Sequence, residues 1–453
     1  MTLGTAGADK GVLAFREGGV GAAGGDVAPS VSANPLDGGG KLRIALLGYR
    51  SQPYSGGQGV YIRYLARALR DAGHAVTVIS GEPYPILDDG VDLVKMPGLN
   101  LFAEANAMKA FKLSYLWQPT NLYEYLSHNS GGFPEPYTFN ARLKKWMKKN
   151  AHRFDVIHDN QSLGKGLLGL RKMGLPVVAT IHHPITVDRE IAIKAAPDFK
   201  FRLLARRWHT FLNMQIKVAR KLDHIVTVSE CSRRDIARDF KVDAEKMEVV
   251  FNGIDTDMFD AMPNVTRRGN RLMAIASADH PLKGLNYLIE ALGQLRETHK
   301  DLELLVVGAP KPGGQTEQLI QRLGLEAAIT FRHGLEPEEI VELYAEATVA
   351  VSPSVYEGFG LPAAEAMACG VPLVAAAGGA LPEVVGDAGI VVPTRDAPAL
   401  ANAIDSLLND AVRRDGLARE GRARILELFT WDRAAQETLA VYHEAIAHAH
   451  RSV

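Results

Sequence analysis

Strand-length apolar runs alternate with helix-length segments along most of this 453-residue chain, and they do so in two successive series. The first series opens at Lys41 with "KLRIALLGY", passes through the loop "RSQPYSGGQG", and enters "VYIRYLARALRDAGH", whose apolar residues recur at helical spacing until Gly73. "AVTVIS" then supplies a second strand. A strand, helix and strand in this order require a parallel sheet covered by helices. "FDVIHDN", "LPVVATIHH", "LDHIVTVSE" and "MEVVFNGID" continue the series, with a helix from about Ser232. After the polar stretch "DTDMFDAMPNVTRRGN", a second series runs through "RLMAIASA", "LELLVVG", "AITFRHG", "ATVAVSPS", "VPLVAAA" and "AGIVVP". The pattern predicts an α/β chain with two Rossmann-like, doubly wound domains facing a central cleft.

The expected boundaries are 41–255 for the first domain and 256–430 for the second, with a C-terminal helix over 431–453 that can return to the first domain. Residues 1–40 contain 11 Gly and 7 Ala with few large apolar side chains, and are expected to form a disordered leader. The formal net charge of −1 hides an asymmetry. Between Lys41 and Asp260 there are 32 Lys and Arg against 23 Asp and Glu, a net of +9; from Ala261 to Val453 there are 17 against 25, a net of −8; residues 1–40 contribute −2. Two domains with different partners fit this division, and a strongly basic nucleic-acid binder does not. The two cysteines, Cys231 and Cys369, have no metal-ligand spacing and provide no disulfide framework. No run is long and apolar enough to span a bilayer, and the start lacks a secretory pattern, so a cytoplasmic chain is expected.

An aromatic-rich insertion over residues 98–150 breaks the alternation and ends in the basic helix "ARLKKWMKKN". There Lys144, Lys145, Lys148 and Lys149 surround Trp146 and Met147. In a second segment Arg202, Arg206, Arg207, Lys217, Arg220 and Lys221 surround Trp208, Phe211 and Leu212. Such mixtures suit a peripheral contact with an anionic membrane, a phosphorylated acceptor, or solvated basic faces that pack on their own domain.

The densest chemical signal is "SPSVYEGFGLPAAEAMACGVPLVAAAGG", from Ser352 to Gly379. Gly358 and Gly360 allow close backbone approach to a ligand, and Pro362 suits the first turn of a helix, whose free N–H groups then favour a phosphate. A carboxylate in the turn, Glu357, can accept bonds from sugar hydroxyls. One on the helix, Glu365, can reach a second diol such as a ribose.

This stretch resembles glycosyltransferase family 4, the retaining enzymes of GT-B fold, which carry two acids separated by seven residues in this setting. The likeness extends through "GGALPEVVGDAGIVV", "REGRARILELFTW", "NGID" and "GGQGVYIRYLARALRDAGHAVTVIS", and covers most of the chain from Lys41 to His448 except the insertion. It implies an acceptor-binding first domain and a donor-binding second domain. It also implies that Glu357 holds the donor sugar, that the amides of Gly358, Phe359, Gly360 and Leu361 line sugar and phosphate, and that Glu365 takes the ribose. Lys283, in "ADHPLKGLNYLIEAL", matches the family lysine on the diphosphate, while Gly56 and Gly57 face that diphosphate from the first domain. The family arginine shortly before this lysine is missing; its place is taken by Ala278.

Histidines at strand ends are further candidates. Relatives carry an imidazole near the reacting sugar; here "VIHDNQ" offers His158 with Asn160, and "TIHHP" offers His182 and His183, of which His182 is the preferred catalytic candidate. "DTD" at Asp255 to Asp257 has the spelling of a metal-binding motif but sits in the linker, so no metal ligand is assigned. "GGQGVY" lacks the third glycine of a dinucleotide fingerprint, since Ile62 occupies that place.

The expected function is metal-independent, retaining transfer of a sugar from a nucleotide diphosphate sugar to an acceptor hydroxyl, with no cofactor and no nucleic acid. The acceptor can be a small molecule, a glycan or a lipid-linked molecule, the last placing the enzyme at the cytoplasmic membrane face. The alternatives are a GT-B nucleotide-sugar epimerase, a NAD(P)-dependent oxidoreductase, or a non-catalytic carbohydrate-binding protein.

Overall fold

The computed structural model describes residues 40–52, 57–194 and 196–451. All that follows belongs to the compact unit Lys41–Val453. The expected leader lies, apart from Gly40, outside the described residues.

The first domain contains β1 (Arg43–Gly48), β2 (Ala75–Ser80), β3 (Asp92–Lys95), β4 (Val156–Asn160), β5 (Val177–Ile181), β6 (His224–Thr227) and β7 (Met247–Val249). They form one parallel sheet in the order β3-β2-β1-β4-β5-β6-β7. The second domain contains β8 (Arg271–Ile275), β9 (Glu303–Val307), β10 (Ile329–Arg332), β11 (Val349–Ser352), β12 (Leu373–Ala376) and β13 (Ile390–Val392). Their parallel order is β10-β9-β8-β11-β12-β13. In both sheets the strand order reverses beside the first strand, which opens a crevice at the carboxyl ends where ligands bind.

The insertion is not an excursion from the alternation. Its helix Glu135–Asn150 buries Phe139, Leu143 and Met147 in the core on one face of the first sheet, acting as part of the crossover from β3 to β4. Trp146, Trp208, Phe211 and Leu212 join the same core, so the apolar residues expected to share a surface with the lysines and arginines point inward. The exposed apolar side chains are different ones: Leu113 is 72% exposed, Trp117 78% and Phe199 69%. No helix among the described residues is long and apolar enough to cross a membrane.

The last helix, Trp431–Arg451, packs on the opposite face of the first sheet beside the helix Gly57–Asp71. Trp431 stacks on Tyr64 with ring centroids 5.6 Å apart. Tyr442 reaches the sheet interior, where its hydroxyl lies 2.6 Å from Nδ1 of His158, whose Nε2 lies 2.6 Å from Oγ1 of Thr180. The chain therefore crosses between the domains twice, and the crossings touch at an Ile254–Thr430 bridge. Gly253 is required there, because a Cβ would come within 2.3 Å of the Trp431 nitrogen. Tyr442→Ala removes a fully buried ring, and the expected loss is about 3–5 kcal/mol in urea denaturation. A loss below about 1 kcal/mol would show that the helix docks without this ring.

Candidate functional site

Two loops at the carboxyl edge of the second sheet are joined before any side chain meets. The loop after β8 passes its Leu282 carbonyl to the nitrogen of Val355, after β11, at 2.8 Å. Gly284, with φ +62°, lies so close to Pro353 that a Cβ would come within 2.1 Å of its carbonyl oxygen. This contact brings Lys283 Nζ to 2.7 Å from Glu357 Oε1, which Ser354 Oγ also contacts at 2.7 Å. Both partners remain partly accessible, with the lysine side chain 30% and the glutamate side chain 16% exposed.

Gly360 adopts φ +101° at the N-cap of the helix Leu361–Ala368, and Pro362 lies in its first turn. Pro362 has no N–H, and Ala363 and Ala364 donate to the Gly360 carbonyl at 3.0 and 3.2 Å, so Leu361 supplies the first-turn N–H left without a partner among the described residues. Phe359 turns the other way, into the core against Phe429, so it can contribute its backbone but not its ring. Glu365 is partly sheltered on the same helix and, among the described residues, has no hydrogen-bond partner. Burial alone pushes its carboxyl up to about 7. Gly378 and Gly379 support the loop from behind: a Cβ on either would come within 2.1 Å of the carbonyl oxygens of Ser354 and Glu357 respectively.

The first domain presents His182 at the end of β5. Its Nε2 lies 2.7 Å from Asn160 Oδ1, while Asn160 Nδ2 donates to the Gln58 carbonyl at 3.0 Å. That orientation of the amide makes Nε2 the protonated nitrogen and leaves Nδ1 as an acceptor. Burial, with smaller contributions from His183 and His158, lowers the His182 pKa to about 3, so the ring is neutral. His158 is also neutral, lowered to about 3 by burial, and is enclosed between Tyr442 and Thr180 away from solvent. His183 faces Asp188, 3.4 Å away. Gly57 begins its helix near this edge, whereas Gly56 lies outside the described residues.

Several residues of the site had no signature in the sequence. Gln161 takes a left-handed φ of +55° and ties two strand ends together, accepting from His182 N at 2.8 Å and donating to the His183 carbonyl at 2.8 Å. Ser229 and Ser232 donate to the Gly358 carbonyl across the cleft, at 2.9 and 3.2 Å. Glu383 accepts from the nitrogens of Glu230 and Cys231, at 2.8 and 2.6 Å, and so caps a first-domain helix with a second-domain carboxylate. Tyr356 donates to Asp235 at 2.8 Å. His280, three residues before Lys283, feels the charges of Lys283 and Glu357 and that of Asp188 from the facing domain; burial and Lys283 together lower its pKa. Ala278 is packed in the second domain's core, and Asp255 is buried in an ion pair with Arg67 at 3.1 Å.

The arrangement has a partly open carboxylate, a cation paired with it, the amino end of a helix, and a neutral imidazole on the opposite wall. Elsewhere in the first domain Glu135 has a carboxyl pushed up to about 7 by burial, with Arg50 2.8 Å from Oε1 and with Oε2 unpartnered among the described residues.

The family model described as "Glycosyl transferases group 1" matches residues 262–424, and the one described as "Glycosyltransferase Family 4" matches residues 55–258. The MMP alpha-(1->4)-mannosyltransferase of Mycolicibacterium hassiacum is 46% identical over 411 residues, covering 90% of this chain and 99% of that protein. Among solved structures, the sucrose-phosphate synthase of Thermosynechococcus elongatus aligns with TM-score 0.68 at 24% identity, over 90% of this chain and 100% of that one. The Anabaena protein HepE, in complex with UDP and glucose, aligns with TM-score 0.65 at 20% identity, over 89% and 100%.

A diol donating to the Glu365 carboxylate, as the resemblance implies for a ribose, would stabilise its charged form, and binding would then drive off the proton that burial retains up to about pH 7. Nucleoside diphosphate binding should tighten between pH 6 and 8 with net proton release, read as a buffer-dependent calorimetric enthalpy, roughly the range spanned by that titration. The effect should vanish in Glu365→Gln. Proton release that survives the substitution would place the ribose elsewhere.

Proposed function

We propose that this chain, which belongs to glycosyltransferase family 4 and has the GT-B fold, moves a mannosyl residue from a nucleotide diphosphate sugar to a hydroxyl of a glycan acceptor, with retention of configuration. The observation that carries the reading is the Lys283–Glu357 pair, 2.7 Å apart beside the amino end of the helix Leu361–Ala368. Mannose and a glycan acceptor are favoured by the 46% identity to a mannosyltransferase over 99% of that protein's length. HepE, of similar fold, holds UDP and glucose, which supports a nucleotide-linked donor here.

In this reading Lys283 leaves Glu357 when the diphosphate arrives, and it stabilises the leaving group together with the amino end of the helix. Glu357, released from the lysine, accepts hydrogen bonds from the donor sugar. His280 lies near enough to supply a second donor where Ala278 stands in place of the family arginine. The departing diphosphate oxygen takes the acceptor proton on the same face, so the chain's task is orientation and charge stabilisation. His182 Nδ1 accepts from a sugar hydroxyl, and Glu135 with Arg50 meets the acceptor. No cofactor or metal enters this scheme; Asp255, engaged with Arg67, is in an ion pair rather than presented to a diphosphate.

Mannose, glucose and N-acetylglucosamine donors, each on guanosine and uridine diphosphate, can be compared for nucleotide release with mannooligosaccharide acceptors in the presence of a chelator. A mannose donor should be turned over only with acceptor, and Glu357→Gln should lower kcat/KM about tenfold to a hundredfold, as expected for a charged hydrogen bond. Turnover without acceptor would indicate epimerase or hydrolase chemistry, and an unimpaired variant would remove Glu357 from the site.

A second reading concerns location. Exposed Leu113, Trp117 and Phe199, accompanied by Lys109, Lys112, Lys200 and Arg202, favour a peripheral contact of a cytoplasmic enzyme with an anionic membrane. Flotation with phosphatidylglycerol vesicles but not phosphatidylcholine vesicles, weakened in Leu113→Ser/Trp117→Ser, is the expected result. No flotation at low salt would leave the enzyme acting away from the bilayer.

A further inference from the structure

A second concave surface lies at the opposite edge of the first sheet. It occupies about 460 Å³ where β5 and β6 begin, against the last helix. Leu168, Leu175, Val177 and Ala445 supply an apolar floor, and the rim is cationic, formed by Arg171, Lys172 and Lys221 with the imidazoles of His224 and His448. Asp223 is the one carboxylate among the lining residues, and it is already engaged by Arg171 and by Lys246 at 3.8 Å. Lys172 and Lys221 have no ion-pair partner among the described residues. His224 Nε2 lies 3.1 Å from His448 Nδ1, so two rings from different elements meet at the wall.

This chemistry differs from that of a solvated basic face. A scatter of surface lysines has no walls, whereas here uncompensated cations border a volume with an apolar base. The volume exceeds that of a single inorganic ion and falls within the usual range for a small ligand. We propose that this cavity binds a small phosphorylated metabolite, its phosphate held by Lys172, Lys221 and the His224–His448 pair and its less polar body resting on the floor. The site is separate from the transfer cleft: β5 has five residues, so its two ends are roughly 17 Å apart. It is nevertheless connected to the cleft, since β5 leads directly to His182, and the helix carrying Ala445 and His448 also carries Tyr442, which bonds His158.

Inorganic pyrophosphate is a suitable probe, with histidine C2–H resonances observed in the full-length protein after selective labelling. The His224 and His448 signals, identified through His224→Gln and His448→Gln, should move saturably with added pyrophosphate. The double substitution Lys172→Ala/Lys221→Ala, at exposed positions, should weaken that response about tenfold or more. Signals that do not move at millimolar pyrophosphate would overturn the proposal, as would a response of equal affinity in the double variant. Thermal unfolding of the variants, unchanged from wild type, separates lost binding from lost structure.

Discussion

The loop after β11 packs tightly on the first domain at Gly358, where there is little room for a side chain. A Cβ on Gly358 would sit 3.2 Å from the His182 carbonyl oxygen and 3.3 Å from the His183 ring, tighter than ordinary contact. With hydrogen there instead, the Gly358 carbonyl accepts from Ser229 and Ser232, and Ser232 also bonds the His182 carbonyl at 2.8 Å. One backbone group of this loop is therefore fixed to the cap of the helix Glu230–Phe240 and, through Ser232, to the residue that follows β5. The neighbouring Glu357 inherits that placement. So does the amino end of the helix Leu361–Ala368, which follows after two more residues. The two halves of the site are registered by backbone contact, and this limits positional freedom more than two long side chains could.

Around that point the polar contacts divide into two groups. Glu383 on the amino end of the helix Glu230–Phe240 and Tyr356 on Asp235 join the domains through groups whose donors and acceptors are matched. Lys283 and Glu357, by contrast, satisfy each other inside one domain while both remain partly open. Their mutual ion pair keeps both charges compensated where an unpaired charge would be costly. On the facing wall the His182 ring is neutral.

Much of this was legible in the residues, for identifiable reasons. Strands covered on both faces must be apolar throughout, so "LLVV" and "LVAA" stand out without any partner in view. β3 did not stand out, because Asp92–Lys95 lies at the sheet edge with charged residues at both ends. The basic helices stay open between three readings for a related reason: local sequence shows that Trp146 and Met147 neighbour four lysines, but the 3.6-residue period alone does not say which face meets the sheet, and the structure packs these rings on their own domain. Glu357 and Glu365 are marked in the sequence by glycines, proline and spacing, all of which are local, and Lys283 by its resemblance to the family lysine; the structure brings Lys283 and Glu357 together. Gln161, Glu383, Tyr356 and His280 are not so marked, because what distinguishes them is a partner between about 75 and 155 residues away or a single unusual backbone angle.

The two edges of the first sheet also differ in how they treat charge. At the carboxyl edge, burial keeps His182 neutral and raises the Glu135 carboxyl to about 7, so these groups carry little net charge. At the amino edge, lysines remain uncompensated around an apolar floor. Parallel strands connect these edges rigidly, and the last helix spans the same distance on the outer face, contacting the amino edge through His448 and the sheet centre through Tyr442. The first domain's positive charge is therefore more than a uniform property of its surface. Part of it, on Arg171, Lys172 and Lys221, is gathered at the end of the sheet farthest from the cleft, against the helix that also makes the second crossing between the domains.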